Sequence, residues 1–253
     1  ASDKATLSQE ELESLVEQTR ALKEFQESED SEEIKKCIPL LKRSDIRKES
    51  IRLYNEEHCQ GDTVLLHHNL FTNGIAYVSL LFDTKHVPDE LVSYMGILKS
   101  VLGYVSTERF SYSELFNEIN ADTGGISCGL QVFQNPARND DCTRMFGVRL
   151  KCLYHKLDFA FDMVKEILNT SKLDDEKRLY EILGSLKARL QQAIPGAGHS
   201  SAVLRASSYF SAGSYFQEQI AGITFYELVE NLEKNFEEQK ADLIDKLKTL
   251  MGY

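Results

Sequence analysis

Six histidines and five cysteines are the residues of this chain best suited to metal or nucleophilic chemistry. A hydrolytic zinc site on a helix takes two histidines four residues apart, as in HExxH, or the inverted HxxEH. Neither pattern occurs in the sequence. His67 and His68 are adjacent, so a strand turns them to opposite faces and only one can serve a given site. His58-Cys59 has the same geometry. His86 and His155 stand alone, and zinc needs three or four converging ligands. These histidines therefore read as surface or satisfied core residues, with a self-contained hydrolase built on His58, His67 and His68 as the outlying alternative. A serine nucleophile has no GxSxG turn to sit on. The cysteine–histidine neighbours, His58-Cys59 and Cys152 with His155, show no third group to orient them. Cys37, Cys59, Cys128, Cys142 and Cys152 are odd in number and form no CxxC pair. With no signal-peptide pattern at the start, they read as reduced thiols.

The most unusual local chemistry is Pro195–Ser201, PGAGHSS. Gly196 and Gly198 let a backbone come close, and Ser200 or Ser201 can cap the helix that follows. Such a helix start can hold a carboxylate or a phosphate. Two readings stay open: a tight connection between helices, and a backbone-binding loop whose candidate substrate-binding residues are His199, Ser200 and Arg205. The stretch matches neither the P-loop nor the dinucleotide fingerprint. Tyr209, Phe210, Tyr215 and Phe216 just downstream read as packing residues.

The elements that would position these groups can be read from periodicity. Residues 1–36 read as a helical hairpin, opened by a Ser8/Glu11 capping box. Leu12, Leu15, Val16, Leu22 and Phe25 give it one apolar face, and its second helix must end before Pro39. Such a hairpin cannot bury itself, so it reads as a linker or arm. Residues 37–253 read as one larger domain. Strands are expected over 50–56 and 63–68, around a Gln60-Gly61-Asp62 turn, and over 75–82 after Asn73-Gly74, making an antiparallel meander. The run Ile75–Phe82 reads as buried on both faces. A helix starting at Pro88 carries a Leu91, Met95, Leu98 and Leu102 stripe. A second, over 113–121, turns Leu115, Phe116 and Ile119 inward. Ile126–Val132 and Phe146–Cys152 alternate with period two and pair as a hairpin. The rest is helical, with stripes Leu157, Phe161, Val164, Leu168 and Leu179, Ile182, Leu186, Leu190. The second of these helices ends at Pro195 and Gly196, and Phe225, Leu228, Val229, Leu232 and Phe236 open the terminal helix. The fold class is α+β: a mainly antiparallel sheet with helices packed on one face, preceded by a helical hairpin.

Composition narrows the function classes. A formal charge of −11 and a pI near 5.1 argue against nucleic acid or an anionic membrane as the main partner. No apolar run approaches the ~18 residues of a membrane span. The chain reads as cytoplasmic, with an organelle matrix as the alternative compartment.

Several ordered segments then resemble a known family. LVEQTRALKEFQE, IPLLKRSDI, LFTNGIAYVSLLFDT, FNEINADTGGIS and GAGHSSAVLRASSYF look like the linker and third domain of presequence-protease-type zinc metallopeptidases of the pitrilysin/insulinase superfamily. The resemblance covers essentially the whole chain. It implies a long polypeptide of two halves joined by a helical hairpin, with HxxEH in the amino-terminal half and a chamber that degrades unfolded peptides. In a domain of this build the metal motif would fall near Met95–Lys99, where the sequence reads MGILK. The resemblance therefore implies a metallopeptidase-like but non-catalytic segment, with no catalytic and no metal-binding residue of its own. Zinc is expected in the missing catalytic half, which would be the partner of this chain, along with peptide substrates. The alternative is a stand-alone binding or scaffold domain without a peptidase partner.

Overall fold

The computed structural model describes residues 8–50, 52 and 54–253, which separate into two compact units, Ala1–Asn69 and Leu70–Tyr253. In the first unit, helix α1 (Gln9–Glu27) starts at Ser8, whose hydroxyl accepts from the Glu11 N–H while the Glu11 carboxylate takes the Ser8 N–H. This reciprocal cap satisfies two of the backbone donors that a helix start leaves open. Helix α2 (Glu32–Cys37) is capped by Ser31 and stops before Pro39. Neither helix buries a residue, and Leu15, Val16, Leu22 and Phe25 lie exposed. Strands β1 (Glu56–Gln60) and β2 (Thr63–His67) form a two-stranded antiparallel hairpin. The strand expected over 50–56 is displaced toward this turn and starts only at Glu56. Ile51 and Leu53, like residues 1–7 of the arm, lie outside the described residues.

The second unit is built on a three-stranded antiparallel sheet of order β3-β5-β4, made by β3 (Ile75–Asp83), β4 (Ile126–Gln134) and β5 (Cys142–Leu153). The expected β4–β5 hairpin is present, with Ile126 opposite Leu150 and Gly129 opposite Gly147. The expected meander is not: β3 pairs with β5, Ile75 opposite Leu153, and β1–β2 is a separate sheet. Asn73 (φ 52°) and Gly74 (φ 81°) do adopt the left-handed turn their types favour. Being an edge strand, β3 is not buried on both faces either. Val78 and Leu80 point to the helices while Tyr77 and Leu81 stay exposed.

Helices cover one face of the sheet. Ala76, Val78 and Leu80, with Phe146, Val148, Leu150 and Cys152 and with Ile126, Cys128, Leu130 and Val132, share that face. Pro88 caps a 3-10 turn, Asp89–Leu91, which runs into the central helix α3 (Val92–Val101). Val92, Met95, Ile97, Leu98 and Val101 on α3 are all buried. A capping box at Ser111 starts α4 (Tyr112–Asp122), which buries Leu115 and Ile119 but leaves Phe116 exposed. Helix α5 (Leu157–Thr170) lies on β5 through Ala160 and Val164. Its inner stripe is rotated from the expected one, with Met163 and Ile167 buried and Phe161 exposed. Helices α6 (Glu176–Gly196), α7 (Gly198–Ser207), α8 (Ala212–Ala221), α9 (Ile223–Lys234) and α10 (Phe236–Leu250) complete the layer. The α+β class and the one-sided helical layer read from the sequence are those observed.

Candidate functional site

The place where the resemblance puts a metal motif is the middle of α3. Met95, Ile97 and Leu98 there are core residues, at 2%, 0% and 4% exposure. Gly96 faces Phe225 so closely that a Cβ would stand 2.6 Å from the ring. Lys99 ends the stretch and reaches the Ile220 carbonyl at 3.4 Å. These side chains carry no imidazole, thiolate or carboxylate, so they do not fit zinc. Among the described residues no group of three or more His, Cys, Asp or Glu side chains is placed to hold a metal ion.

The histidine cluster resolves into one carboxylate between two imidazoles. The β1–β2 register sets Glu56 opposite His67, and His58 follows two residues along the same face. Glu56 Oε2 lies 3.0 Å from His67 Nδ1 and 4.0 Å from His58 Nε2. The hydrogen bond to His67, with its charge, holds the Glu56 carboxyl below its ordinary range. All three side chains are largely exposed, so the arrangement is a solvated surface contact. Three of the cysteines offer no activated thiol either. Burial pushes Cys128 up to about 11 and also raises Cys142 and Cys152. Such thiols stay protonated at neutral pH, the wrong state for a nucleophile.

PGAGHSS is helical rather than a loop. Helix α6 runs through Pro195 to Gly196, Ala197 alone interrupts it, and α7 begins at Gly198. The proline is tolerated because it sits in the last turn, where the Ala197 N–H still reaches Ala193 O at 3.0 Å. Neither serine caps α7. Ser201 Oγ turns back to the carbonyls of Ala197 (3.2 Å) and Ile194 (3.4 Å). His199 and Ser200 sit exposed on the first turn. Arg205 is six residues beyond His199, about 120° away around a helix of 3.6 residues per turn. The three candidates do not converge on one point.

Arg205 instead points into the protein. Its Nη1 donates to Glu218 Oε1 (3.0 Å) on α8 and to Thr224 Oγ1 (2.6 Å) on α9. Glu218 Oε1 also accepts the Thr224 N–H at 3.0 Å. The carboxylate is 1% exposed, and its second oxygen has no hydrogen-bond partner among the described residues. This knot fixes the α7–α8–α9 corner and was not read from the sequence. The one available signal was Glu218 lying between Phe216 and Ile220, an acid among inward-facing positions of a helix.

A family model described as associated with peptidases of family M16, subfamily C, matches residues 1–232. The chain belongs to that peptidase-associated family. Among relatives of this peptidase-associated chain, Protein HypA of Clostridium perfringens is 36% identical over 237 residues, covering 94% of this chain and 24% of that protein. Presequence protease 1, chloroplastic/mitochondrial, of Arabidopsis thaliana is 28% identical over 93% of this chain and 22% of its own length. Presequence protease, mitochondrial, of Yarrowia lipolytica is 24% identical over 98% of this chain and 25% of its own length. The peptidase-associated chain thus spans about a quarter of the length of the curated relatives it matches. The family expected from the quoted segments is the one found. No helix among the described residues is long and apolar enough to cross a membrane.

Proposed function

We propose that this chain is the non-catalytic segment of a zinc-dependent metalloendopeptidase that degrades unfolded peptides, and that it forms part of the wall enclosing the peptide. Zinc then belongs to a catalytic half of the same polypeptide, which is this chain's partner. The observation that carries the reading is the peptidase-associated family match over a chain whose central helix holds apolar core residues where metal ligands would have to stand. Residues 1–36 act as the connecting arm and 37–253 as the wall domain. The exposed apolar stripe of α1 supports a covering partner, because Phe25 is 77% exposed. His199 and Ser200 are the solvent-facing residues of the α6–α7 corner that meet peptide, and Arg205 holds the corner through Glu218. The compartment is the cytoplasm, with the organelle matrix as the alternative supported by the printed names of the plant and yeast relatives.

The test is metal analysis and peptidase assay on residues 1–253 and on the full polypeptide encoded around them. The full protein should hold one zinc per chain and cleave an unfolded peptide, while residues 1–253 should do neither. Stoichiometric zinc and cleavage by residues 1–253 alone overturn the reading, as does a full polypeptide without HxxEH.

A further inference from the structure

Strand β4 is an edge of the sheet, pairing only with β5 among the described residues. The Lys151 N–H donates to Gly125 O at 3.3 Å. By antiparallel alternation, Ser127, Gly129 and Gln131 then turn their peptide groups toward β5, while Ile126, Cys128, Leu130 and Val132 turn theirs away. A bare edge of this kind is a template for another strand. It opens on a groove of about 690 Å³, lined along one side by Ile126–Leu130. Those five residues present about 17 Å of edge at ~3.4 Å per residue. The far wall comes from α3, α4 and α6, with Tyr104 and Phe116 exposed at the rim and Ile119 and Ile182 below them.

The charge of the groove runs against that of the chain. The protein carries −11 overall, yet the groove has Lys99, Arg178 and Arg189 against one acid, Glu181. Glu181 is taken by Arg178 at 3.0 Å, and the Arg178 guanidinium also donates to Tyr104 O and stacks on Tyr112. Lys99 and Arg189 are left within Coulombic reach of each other and form no ion pair among the described residues. Lys99 is partly buried and has only the 3.4 Å bond to Ile220 O. Two neighbouring cations lining a groove are suited to an anion, and a strand edge is suited to an extended backbone.

We propose that this groove receives an extended, carboxylate-bearing peptide segment, which adds to β4 as a further strand and sets its carboxylate on Lys99 and Arg189. The inference deepens the proposed function and rests on it for the identity of the ligand as a peptide. A free carboxyl terminus and an acidic side chain offer the same chemistry to the two cations.

The experiment is fluorescence anisotropy on the full-length protein in chelator, which keeps the probe intact. The probe is a labelled octapeptide of alternating Thr and Val in four forms: free carboxyl terminus, terminal amide, terminal amide with one internal Glu, and the free acid N-methylated at alternate residues. At least one carboxylate form should bind about tenfold tighter than the plain amide, and which one does names the source. Lys99→Gln with Arg189→Gln should erase that difference in a protein whose Tm is no lower than that of wild type, and N-methylation should abolish strand-like binding. Equal binding of all forms, or a double variant that still discriminates, overturns the proposal. So does hydrogen exchange showing the Cys128 and Leu130 amides already protected in the peptide-free protein, because another strand of the polypeptide would then occupy the edge. Failure of binding in a protein that still cleaves peptides sinks this inference alone. Binding without any cleavage sinks the proposed function and keeps the groove.

Discussion

Gly96 on α3 and Phe225 on α9 approach so closely that a Cβ on Gly96 would lie 2.6 Å from Cε2 of the ring and 3.0 Å from the Ile220 carbonyl oxygen. Helix α3 is clamped here by α8 and α9. Gly96→Ala should therefore destabilise the protein. Overpacking costs about 1–3 kcal/mol, against a helix-propensity gain of roughly 1 kcal/mol for replacing a glycine. The expected net loss is about 1 kcal/mol in urea unfolding, and Phe225→Leu in the same chain should recover part of it by making room. A Gly96→Ala protein as stable as wild type, with or without the second change, refutes the close packing.

The Arg205–Glu218 pair makes a second prediction. Arg205→Ala leaves a buried carboxylate with only Thr224 as partner. Arg205 is itself 42% exposed, which weakens the pair below a fully buried one. A loss of roughly 1–3 kcal/mol is expected. Arg205→Met with Glu218→Met should lose less than the sum of the two single changes, since each single variant strands a charge and the double variant does not. Additive losses in a double-mutant cycle would mean that Arg205 is not structural and would return it to the candidates for direct ligand contact.

Glu166 on α5 makes stability depend on acid pH. Burial pushes its carboxyl up. The Arg109 N–H at 3.0 Å, the Thr107 and Thr170 hydroxyls and the Arg109 charge more than offset that, so the net position is below the ordinary 4.5. A depressed carboxyl contributes stability that is present above its unfolded value and lost as pH falls through its folded one. Wild type should thus exceed Glu166→Gln in urea midpoint at pH 7, with the gap closing as pH falls below about 4.5. A gap independent of pH would show that the carboxylate is not held by these donors.

Local chemistry was legible and distant pairing was not. The three-residue spacing of Ser8 and Glu11 announces its cap, and the alternation through Ile126–Val132 and Phe146–Cys152 announces a hairpin with one apolar face. Asn73-Gly74 shows where such reading stops. The pair dictates its own left-handed backbone, yet the partner of β3 is β5, whose Leu153 lies opposite Ile75. Pro195 marks a helix end only to within a residue or so, since α6 runs one residue past it to Gly196. Of the site, Arg205 was singled out by its company with PGAGHSS, but Glu218, 13 residues on, becomes its partner only through the α7–α8 turn. The Lys99–Arg189 neighbourhood brings together two helices far apart in sequence and leaves no local signal.

Lys99 should cost the folded chain stability. Burial, with the nearby Arg189 charge adding to it, holds its amine below the ordinary 10.5. The weak bond to Ile220 O at 3.4 Å returns little. A lysine whose folded value is depressed penalises folding while it is protonated in both states. The penalty is relieved as pH rises through the folded value toward the unfolded one. Lys99→Met, which keeps the length of the side chain, should accordingly raise Tm at pH 7 by roughly 2–4 °C, and the advantage over wild type should shrink as pH rises toward the ordinary 10.5. An unchanged or lower Tm at pH 7 would mean that Lys99 already has an anionic partner in the folded protein, and the groove beside β4 would then not be waiting for one.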